Sequence, residues 1–400
     1  MNPYLDKLYQ IAGKSSRMVI GLMSGTSLDG LDLALCRITG SGTATQLELL
    51  QFETVSYDSE LKDSIRSVFS RRDADLETIT LLNADLAIRH AGTIRNVIAK
   101  WGLKPEDIDL IASHGQTIYH APRSLHGQAG LPNATLQIVD GDHIAVCTGI
   151  ITICDFRQKH IAAGGEGAPL AVYGDYLLFA KPGENRILLN IGGIANFTYL
   201  PGDPDTKKIF STDTGPGNTL MDAWVQARFP GKHYDENATL ASKGQCNERL
   251  LQQLKDHSFF AAGFPKTTGP ELFNLTYLAH AMRVAGINEI ETTDLLATLN
   301  RFTAETIADA IHRCFPGSEP IHIYASGGGM HNPLLMRHLQ ALLPAATFST
   351  TASLQVNPDA KEAVLFALLA NETVAGGPIQ IGTKDNGIPA VRMGKICLPN

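Results

Sequence analysis

The feature that most constrains the fold is a pair of glycine-rich hairpins about 170 residues apart in the chain. In each hairpin an apolar strand leads into a glycine-containing turn, and a second apolar strand follows. The first spans residues 18–36 and turns through Ser24–Gly30, and the second spans residues 186–200 and turns through Gly192–Gly193. Short strand and helix patterns follow each hairpin, and residues 293–314 show the apolar period of an α-helix. The sequence therefore predicts a duplicated α/β unit.

The length of 400 residues favours two domains, because a single hydrophobic core stops growing well below that size. We place the first domain at residues 1–150 together with about 356–400, because a last helix near residues 358–371 is expected to return to it. The second domain is predicted to span residues 151–355. Both cores can be supplied by a chain that is 44% hydrophobic.

Composition excludes several classes of function. Only 18% of the residues are charged and the formal net charge is −7, so neither a disordered chain nor a basic nucleic-acid-binding surface is indicated. No segment approaches the roughly 18 consecutive apolar residues of a membrane span, and the N-terminal residues do not resemble a signal peptide. Six scattered cysteines without a CxxC pair predict free thiols in a reducing cytoplasm.

The two glycine turns are predicted to bind the phosphates of ATP. Glycine lets a ligand approach the backbone closely, and neighbouring N–H groups of a tight turn can converge on an anion. In the first turn Ser24, Thr26 and Ser27 add hydroxyl donors, and Asp29 is placed to bind Mg²⁺ or its waters. An ordinary hairpin turn is the simpler interpretation of one such segment. The recurrence of the design at Gly192–Gly193, followed by Asn196, favours phosphate binding.

Asp213 is the candidate general base. It precedes a glycine-rich helix start at Gly215, Gly217 and Asn218, whose amides would attract a phosphate. An aspartate in this position commonly caps the helix, but beside two phosphate turns we favour catalysis. Gly327–Gly329 follows another strand, where nucleoside stacking and a plain strand-to-helix turn are equally good interpretations.

Polar residues after two further predicted strands form a candidate substrate wall. His114, Gln116 and Thr117 follow one strand, and Arg157 follows the next. Ligands of α/β sheets bind at the carboxyl ends of strands, and arginine can hold a carboxylate with two hydrogen bonds. An ion pair between Arg157 and Asp155 is the alternative for that arginine.

Taken together, the motifs resemble the anhydro-N-acetylmuramic acid kinase family, which is part of the sugar kinase, heat-shock ATPase and actin superfamily. The matching segments cover nearly the whole chain in the same order, at residues 21–30, 113–117, 155–157, 190–196, 213–218, 265–269 and 327–329. The resemblance implies two RNase H-like lobes of the actin and hexokinase type around a central cleft. It places the sugar and phosphates on the first domain and ATP on the second.

The resemblance also implies the reaction. A cytoplasmic homodimer would use ATP and Mg²⁺ to convert 1,6-anhydro-N-acetylmuramic acid and water into N-acetylmuramic acid 6-phosphate and ADP, with Asp213 as the base. The residues predicted to bind ATP are Ser24, Gly25, Thr26, Ser27, Leu28, Asp29, Gly30, Asp32, Gly192, Gly193, Asn196, Gly215, Gly217, Asn218, Gly328, Gly329 and Asn332, with Asp29 also on Mg²⁺. The residues predicted to contact the sugar are Ser27, Asp29, His114, Gln116, Thr117, Arg157 and Glu362.

Two other functions stay open on the sequence alone. One is phosphorylation of a different sugar, or of a carboxylic acid, by direct attack of the acceptor oxygen. The other is a nucleotide-gated sensor or filament protein of the actin type. The chain also departs from the family pattern at Glu166, at Pro270 and in the tail after Gly376. Those departures concern substrate contacts and C-terminal packing rather than the nucleotide site.

Overall fold

The computed structural model describes residues 2–25, 28–203, 206–315, 320–354, 357, 359–376 and 388–400. The strands are β1 (Ser16–Ser24), β2 (Gly30–Thr39), β3 (Gln46–Ser56), β4 (Leu110–Ala121), β5 (Ala134–Ile138), β6 (Thr152–Cys154), β7 (Asn185–Ile191), β8 (Ile194–Leu200), β9 (Phe210–Pro216), β10 (Ile321–Ser326), β11 (Ala346–Thr350) and β12 (Lys395–Cys397). The α-helices are α1 (Pro3–Gly13), α2 (Ser59–Val68), α3 (Leu76–Lys100), α4 (Arg123–His126), α5 (Gly141–Thr148), α6 (Phe156–Ala162), α7 (Ala171–Phe179), α8 (Thr219–Arg228), α9 (Glu248–Lys255), α10 (Ser258–Ala261), α11 (Leu275–Val284), α12 (Thr292–Cys314), α13 (Pro333–Leu342) and α14 (Lys361–Ala375).

Both predicted hairpins are confirmed. Strands β1 and β2 pair antiparallel with Ser16 opposite Thr39, and β7 and β8 pair antiparallel with Arg186 opposite Leu200. A third antiparallel strand extends each hairpin, because β3 pairs with β2 and β9 pairs with β8. Strands β1–β3 and β7–β9 therefore form two antiparallel meanders.

The order of strands is the same in the two sheets. The first sheet runs β3-β2-β1-β4-β6 with β12 at its edge and β5 paired to β4, and the second runs β9-β8-β7-β10-β11. In the first sheet β4 lies parallel to β1, and β6 lies parallel to β4. In the second sheet β10 lies parallel to β7, and β11 lies parallel to β10. This arrangement is the duplicated RNase H-like α/β fold.

The chain divides into two compact units. Unit 1 comprises Met1–Phe179 and Val356–Asn400, and unit 2 comprises Ala180–Gln355. The predicted boundary near residue 150 is corrected, because β6 pairs with β4 and completes the first sheet. Helix α7 also belongs to unit 1, since Gly174 lies so close to α14 that a Cβ there would be 2.6 Å from Leu365 Cδ1.

The C-terminal helix packs directly on the first strand of unit 1. It was predicted near residues 358–371, and α14 begins at Lys361. A Cβ on Gly21 of β1 would lie 1.9 Å from the carbonyl oxygen of Ala363, so only glycine permits this approach. Near the other end of α14, the buried Asn371 accepts a hydrogen bond from Arg17 Nη1 at 3.0 Å. The glycine that opens the motif at residues 21–30 thus has a packing role.

Helix α12 is buried more completely than its periodicity predicted. The sequence indicated one apolar face, whereas every residue from 295 to 300 is buried. Leu295 and Leu299 pack in a helical cluster that also contains residues of α8, α9 and α11. Ile307 and Ile311 pack against residues of the unit 2 sheet. Because α12 lies between two cores, small and polar positions between its leucines are buried as well.

Two predictions drawn from composition can be compared with the structure. All six cysteines are free, as predicted, although Cys154 Sγ and Cys397 Sγ lie 3.6 Å apart. Among the described residues, we find no helix whose length and apolarity would suit a membrane span.

Candidate active site

Each unit carries one part of the predicted site, and unit 1 carries the turn between β1 and β2. Thr26 and Ser27 of this turn lie outside the described residues. Leu28 is buried at a positive φ of 59°, a conformation that costs a leucine about 1–2 kcal/mol. Its N–H donates to Gly25 O at 3.3 Å, and the exposed Asp29 follows. Such backbone strain is typical of ligand-binding turns, which supports the predicted phosphate site.

The side chains of Ser24 and Gln116 make their hydrogen bonds inside unit 1. Ser24 Oγ donates to Gln116 Oε1 at 2.5 Å and accepts from Tyr57 Oη at 2.9 Å, and Tyr57 Oη lies 2.7 Å from His90 Nε2. Ser24 is 2% exposed and Gln116 is fully buried. These two side chains already have partners within unit 1, and their contacts with phosphate and sugar stay predictions. The pair anchors the start of the turn.

Two further predicted ligands, Gly30 and Thr117, have contacts within unit 1. Gly30 begins β2, and a Cβ there would lie 2.3 Å from Val55 O. Thr117 Oγ1 accepts a hydrogen bond from Gln137 Nε2 at 3.1 Å. Thr117 belongs to β4, which continues to Ala121, so the polar motif lies within a strand and not after it. Gly30 is explained by packing, and a sugar contact of Thr117 stays a prediction.

Arg157 is held by uncharged partners. Its Nε donates to His114 Nε2 at 2.9 Å, and its Nη1 donates to the carbonyl of Gly167 at 2.7 Å. The alternative ion pair with Asp155 is not formed, because Asp155 Oδ2 pairs with Lys395 Nζ at 2.5 Å. Arg157 thus keeps its charge for another anionic group.

One carboxylate, that of Glu362, lies near enough to Arg157 to interact with its charge, and Asp32 in turn interacts with Glu362. Asp32 Oδ1 accepts from Thr54 Oγ1 at 2.6 Å. Burial raises the pKa of Glu362, the positive charge of Arg157 opposes that rise, and the negative charge of Asp32 adds to it. Among the described residues, no three histidine, cysteine or acidic side chains are grouped to hold a metal ion. A magnesium ion at Asp29 would therefore take phosphate oxygens and waters as its other ligands, as Mg²⁺ commonly does.

The second glycine turn, in unit 2, offers backbone amides. The carbonyl of Gly193 accepts from the N–H groups of Gly217 and Thr219 at 2.8 and 3.1 Å, and that of Gly192 accepts from Asn218 N at 2.8 Å. Three amides at the start of α8 are thereby used within the chain, and phosphate binding at Gly217 and Asn218 stays a prediction. The N–H groups of Gly192 and Gly193 have no hydrogen-bond partner within the described part of the chain. These two amides fit a phosphate oxygen.

A row of polar residues crosses four neighbouring strands of the unit 2 sheet. Ser326 of β10 is paired with Asn190 of β7, Asn190 with Asn196 of β8, and Asn196 with Asp213 of β9. Paired residues of adjacent strands share one face of a sheet. The sequence identified Asn196 and Asp213 as site residues but missed Asn190 and Ser326, because their alignment depends on strand register.

Asp213 is a strand residue and not a helix cap. It lies within β9, and the N-cap of α8 is Asn218, so the capping alternative is wrong. Its Oδ2 accepts from Thr268 N at 2.8 Å, and its own N–H donates to Lys266 O at 2.9 Å. Burial raises the pKa of Asp213 to about 6, the Thr268 hydrogen bond opposes the rise, and the charge of Glu271 adds to it. A carboxylate with such a pKa is suited to act as a general base near neutral pH.

Two of the predicted glycines are required for packing. Gly329 is buried, and a Cβ there would lie 2.3 Å from Ile191 Cγ2. Gly215 has a φ of 140°, and a Cβ there would lie 3.0 Å from the ring of Phe260. A contact of either glycine with ATP stays a prediction.

A cavity of about 450 Å³ lies beside Gly328 in unit 2 and falls in the size range of small-molecule sites. Asn332 caps α13, since its Oδ1 accepts from Leu335 N at 3.0 Å. Burial raises the pKa of Asp222, which also lines the cavity, to about 6. The cavity is lined by Asn218, Met221, Asp222, Tyr234, Asp235, Glu236, Asn237, Gly328, His331 and Asn332. A strand-to-helix turn is thus present beside a cavity, and nucleoside binding in that cavity stays a prediction.

Comparison with known proteins decides the family. Residues 17–397 match the family model described as Anhydro-N-acetylmuramic acid kinase. The chain belongs to the anhydro-N-acetylmuramic acid kinase family. A protein of that name from Pseudoalteromonas atlantica is 56% identical over 401 residues, which cover 100% of each chain. One from Caldanaerobacter subterraneus is 40% identical and covers 98% of this chain and 100% of the relative.

Both relatives therefore match this chain along nearly its whole length. Among solved structures, a hexokinase from Schistosoma mansoni with bound glucose matches 88% of this chain and 85% of its own at 11% identity, with a TM-score of 0.35. A likeness at that level adds nothing about fold or function.

Proposed function

We propose that this chain is an ATP-dependent kinase that converts 1,6-anhydro-N-acetylmuramic acid and water into N-acetylmuramic acid 6-phosphate during peptidoglycan recycling, with ADP as the second product. Membership of the kinase family supports this function. The observation that carries the chemistry is the environment of Asp213, whose pKa burial raises to about 6 within a polar row of the unit 2 sheet.

Asp213 is proposed to accept a proton from the attacking water. Its Oδ2 is oriented by the N–H of Thr268, and Oδ1 has no hydrogen-bond partner among the described residues. Oδ1 is therefore the proposed proton acceptor. The water oxygen forms a bond to C1 of the sugar from the face opposite the bridging oxygen, and the bond between C1 and that oxygen breaks. The released oxygen stays on C6 and forms a bond to the γ-phosphorus of ATP, while the bond from that phosphorus to the oxygen of the leaving ADP breaks.

The glycine turn and cavity of unit 2 are proposed to bind ATP. The amides of Gly192 and Gly193, which have no partner among the described residues, fit phosphate oxygens, and the cavity beside Gly328 and Asn332 fits the nucleoside. MgATP held there would supply the phosphoryl group, with Mg²⁺ to neutralise part of its charge. Asp29 is the proposed protein ligand of Mg²⁺. In this arrangement the protein chiefly positions groups and stabilises charge.

Residues of unit 1 are proposed to recognise the sugar. The guanidinium of Arg157 is held by uncharged partners, so its charge is available for the carboxylate of the substrate. Asp29 and Glu362 are proposed to accept hydrogen bonds from sugar hydroxyl or amide groups. Free thiols at all six cysteines fit a cytoplasmic location, and a homodimer is proposed from the resemblance alone.

The proposed reaction is tested by the mass of the product. Purified protein is incubated with MgATP and 1,6-anhydro-N-acetylmuramic acid, and the product is expected to gain both a phosphate and a water. In water labelled with ¹⁸O, the label should enter at C1. A product that gains phosphate alone would instead indicate direct attack by an acceptor oxygen. Absence of any turnover would favour a nucleotide-gated binding protein.

Activity is expected to fall on acidification with a midpoint near pH 6. Burial raises the pKa of Asp213 to about 6, and the base must be deprotonated to accept a proton. Below that pH the turnover number should fall about tenfold per pH unit. The measurement is the turnover number against pH at saturating MgATP and sugar, because Asp222 in the nucleotide cavity titrates in the same range.

A variant of Glu271 provides the control for this profile. The charge of Glu271 adds to the raised pKa of Asp213, so Glu271→Gln should move the acidic limb to lower pH. An acidic limb that keeps its position in Glu271→Gln and persists in Asp213→Asn would assign the titration to another group.

A further inference from the structure

We infer that His114 is a positioning residue, which holds the guanidinium of Arg157 in a direction that suits the substrate carboxylate, and that His160 supports the same guanidinium through Gly167. This inference deepens the proposed function and rests on it for the identity of the carboxylate. It also replaces the predicted contact of His114 with the sugar, because both ring nitrogens of His114 already have partners.

The tautomer of His114 follows from its partners. An arginine side chain has only hydrogen-bond donors, so His114 Nε2 must accept from Arg157 Nε at 2.9 Å. The proton of a neutral imidazole then sits on Nδ1, which lies 2.9 Å from the carbonyl of Gly115 and donates to it. Gly115 itself has a φ of 78°, and a Cβ there would lie 2.4 Å from Ile138 O. The backbone next to His114 therefore has a conformation and a close contact that only glycine permits.

The surroundings keep His114 neutral and fixed. The side chain is 2% exposed, and burial lowers its pKa to about 3, with the positive charge of Arg157 acting in the same direction. Its ring packs against Phe366 with centroids 4.7 Å apart. A neutral imidazole carries no positive charge. It therefore orients the guanidinium of Arg157 but does not itself attract an anion.

A second buried histidine supports Gly167, the other hydrogen-bond acceptor of Arg157. His160 Nδ1 accepts from the N–H of Gly167 at 3.0 Å, and the carbonyl of Gly167 accepts from Arg157 Nη1 at 2.7 Å. Burial lowers the pKa of His160 to about 4, and Arg157 again acts in the same direction. A Cβ on Gly165 would lie 2.1 Å from His160 Cε1. The glycine-rich run at residues 164–167 therefore lets the loop close over the imidazole.

These contacts leave one nitrogen of the guanidinium to face a ligand. Nε and Nη1 each donate to a fixed acceptor, whereas Nη2 has no hydrogen-bond partner in the described portion of the chain. An arginine fixed in this way loses little side-chain entropy when it binds a carboxylate. Removal of the acceptor at His114 should therefore weaken substrate binding more than it slows the chemical step.

The test compares two substitutions of His114. His114→Phe keeps a ring against Phe366 and removes the acceptor, and His114→Gln keeps an acceptor near the position of Nε2. His114→Phe is expected to raise KM for the anhydro sugar about tenfold or more, with the turnover number within about threefold of the unchanged chain. His114→Gln should recover most of the loss. His160→Phe should raise KM in the same direction.

Two comparisons separate positioning from general damage. With 1,6-anhydro-N-acetylglucosamine, which lacks the carboxylate, His114→Phe and the unchanged chain should have equal KM. His143→Gln, on the half-exposed histidine of α5 that lies beside Asp140, is the matched control and should leave KM unchanged. Equal loss on both sugars, or a fall in turnover number without a change in KM, would overturn the inference.

Nitrogen-15 spectra test the hydrogen bonds without any turnover. The unchanged chain should show His114 with its proton on Nδ1 and an exchange-protected N–H signal from Arg157 Nε. A proton on Nε2 of His114 would overturn the inference even if His114→Phe failed to fold. Absence of turnover by the unchanged chain would overturn the proposed function, and the spectra would still decide whether His114 holds Arg157.

Discussion

Replacement of Asp213 by asparagine should lower the turnover number about 10²–10⁴-fold and leave MgATP affinity within a few-fold. Asparagine has the same shape, and its carbonyl oxygen can still accept from Thr268 N, which lies 2.8 Å from Oδ2 in the unchanged chain. It cannot accept a proton from water. The turnover number is measured with the anhydro sugar at saturating MgATP, and MgATP affinity is measured by calorimetry.

The same substitution at Asp309 is the matched control. Asp309 lies on α12 and pairs with Lys255 at 2.8 Å, with an exposed side chain. Asp309→Asn is expected to keep near-normal turnover. If Asp213→Asn also turned over at nearly the normal rate, Asp213 would have no role as the base, and the proposed chemistry would need another proton acceptor.

Phe366→Ala is expected to lower the free energy of unfolding of unit 1 by about 3–5 kcal/mol. Phe366 lies on α14 and is 1% exposed. Its ring centroid lies 4.7 Å from that of His114 and 5.2 Å from that of Phe156. The substitution removes most of a large buried side chain and leaves a cavity. Because α14 packs closely on β1, the helix cannot shift to fill that cavity. Urea denaturation followed by fluorescence and circular dichroism measures the loss.

A truncation at an exposed position of the same unit provides the comparison. Leu81 on α3 is 65% exposed, so Leu81→Ala should change the free energy of unfolding by less than about 0.5 kcal/mol. A small loss for Phe366→Ala, similar to that of Leu81→Ala, would contradict the packing of the C-terminal helix on the first sheet.

The sequence predicted those parts of the fold that depend on neighbouring residues. Both hairpins, the helix at residues 293–314 and the start of the C-terminal helix near Lys361 follow from apolar periodicity and glycine turns. These signals are short-range, because a strand or helix is specified mainly by which of its own faces is apolar. The boundary near residue 150 was wrong because the membership of β6 in the first sheet depends on its pairing with β4.

The sequence predicted some residues of the candidate site and missed others. Asp213 and the glycines of the second turn were found from local motifs, and the structure leaves the Gly192 and Gly193 amides without partners in the described residues. Ser24 and Gln116 were predicted as ligands, yet each is the hydrogen-bond partner of the other across two strands. Asn190 and Ser326 were missed, although they lie in the polar row that contains Asp213. A motif shows which polar groups are present but not which of them are already satisfied.

Local residue patterns were sufficient for the duplicated α/β architecture, the two glycine turns and the family, since each of these depends on the order of residues along short segments. Strand register and packing established which side chains remain available for chemistry. Asp213 lies within a strand and is oriented by Thr268, and His114 supports Arg157 from a buried position. Burial and hydrogen-bond partners come from segments distant in the chain, so these roles could be assigned only after the strands had been aligned.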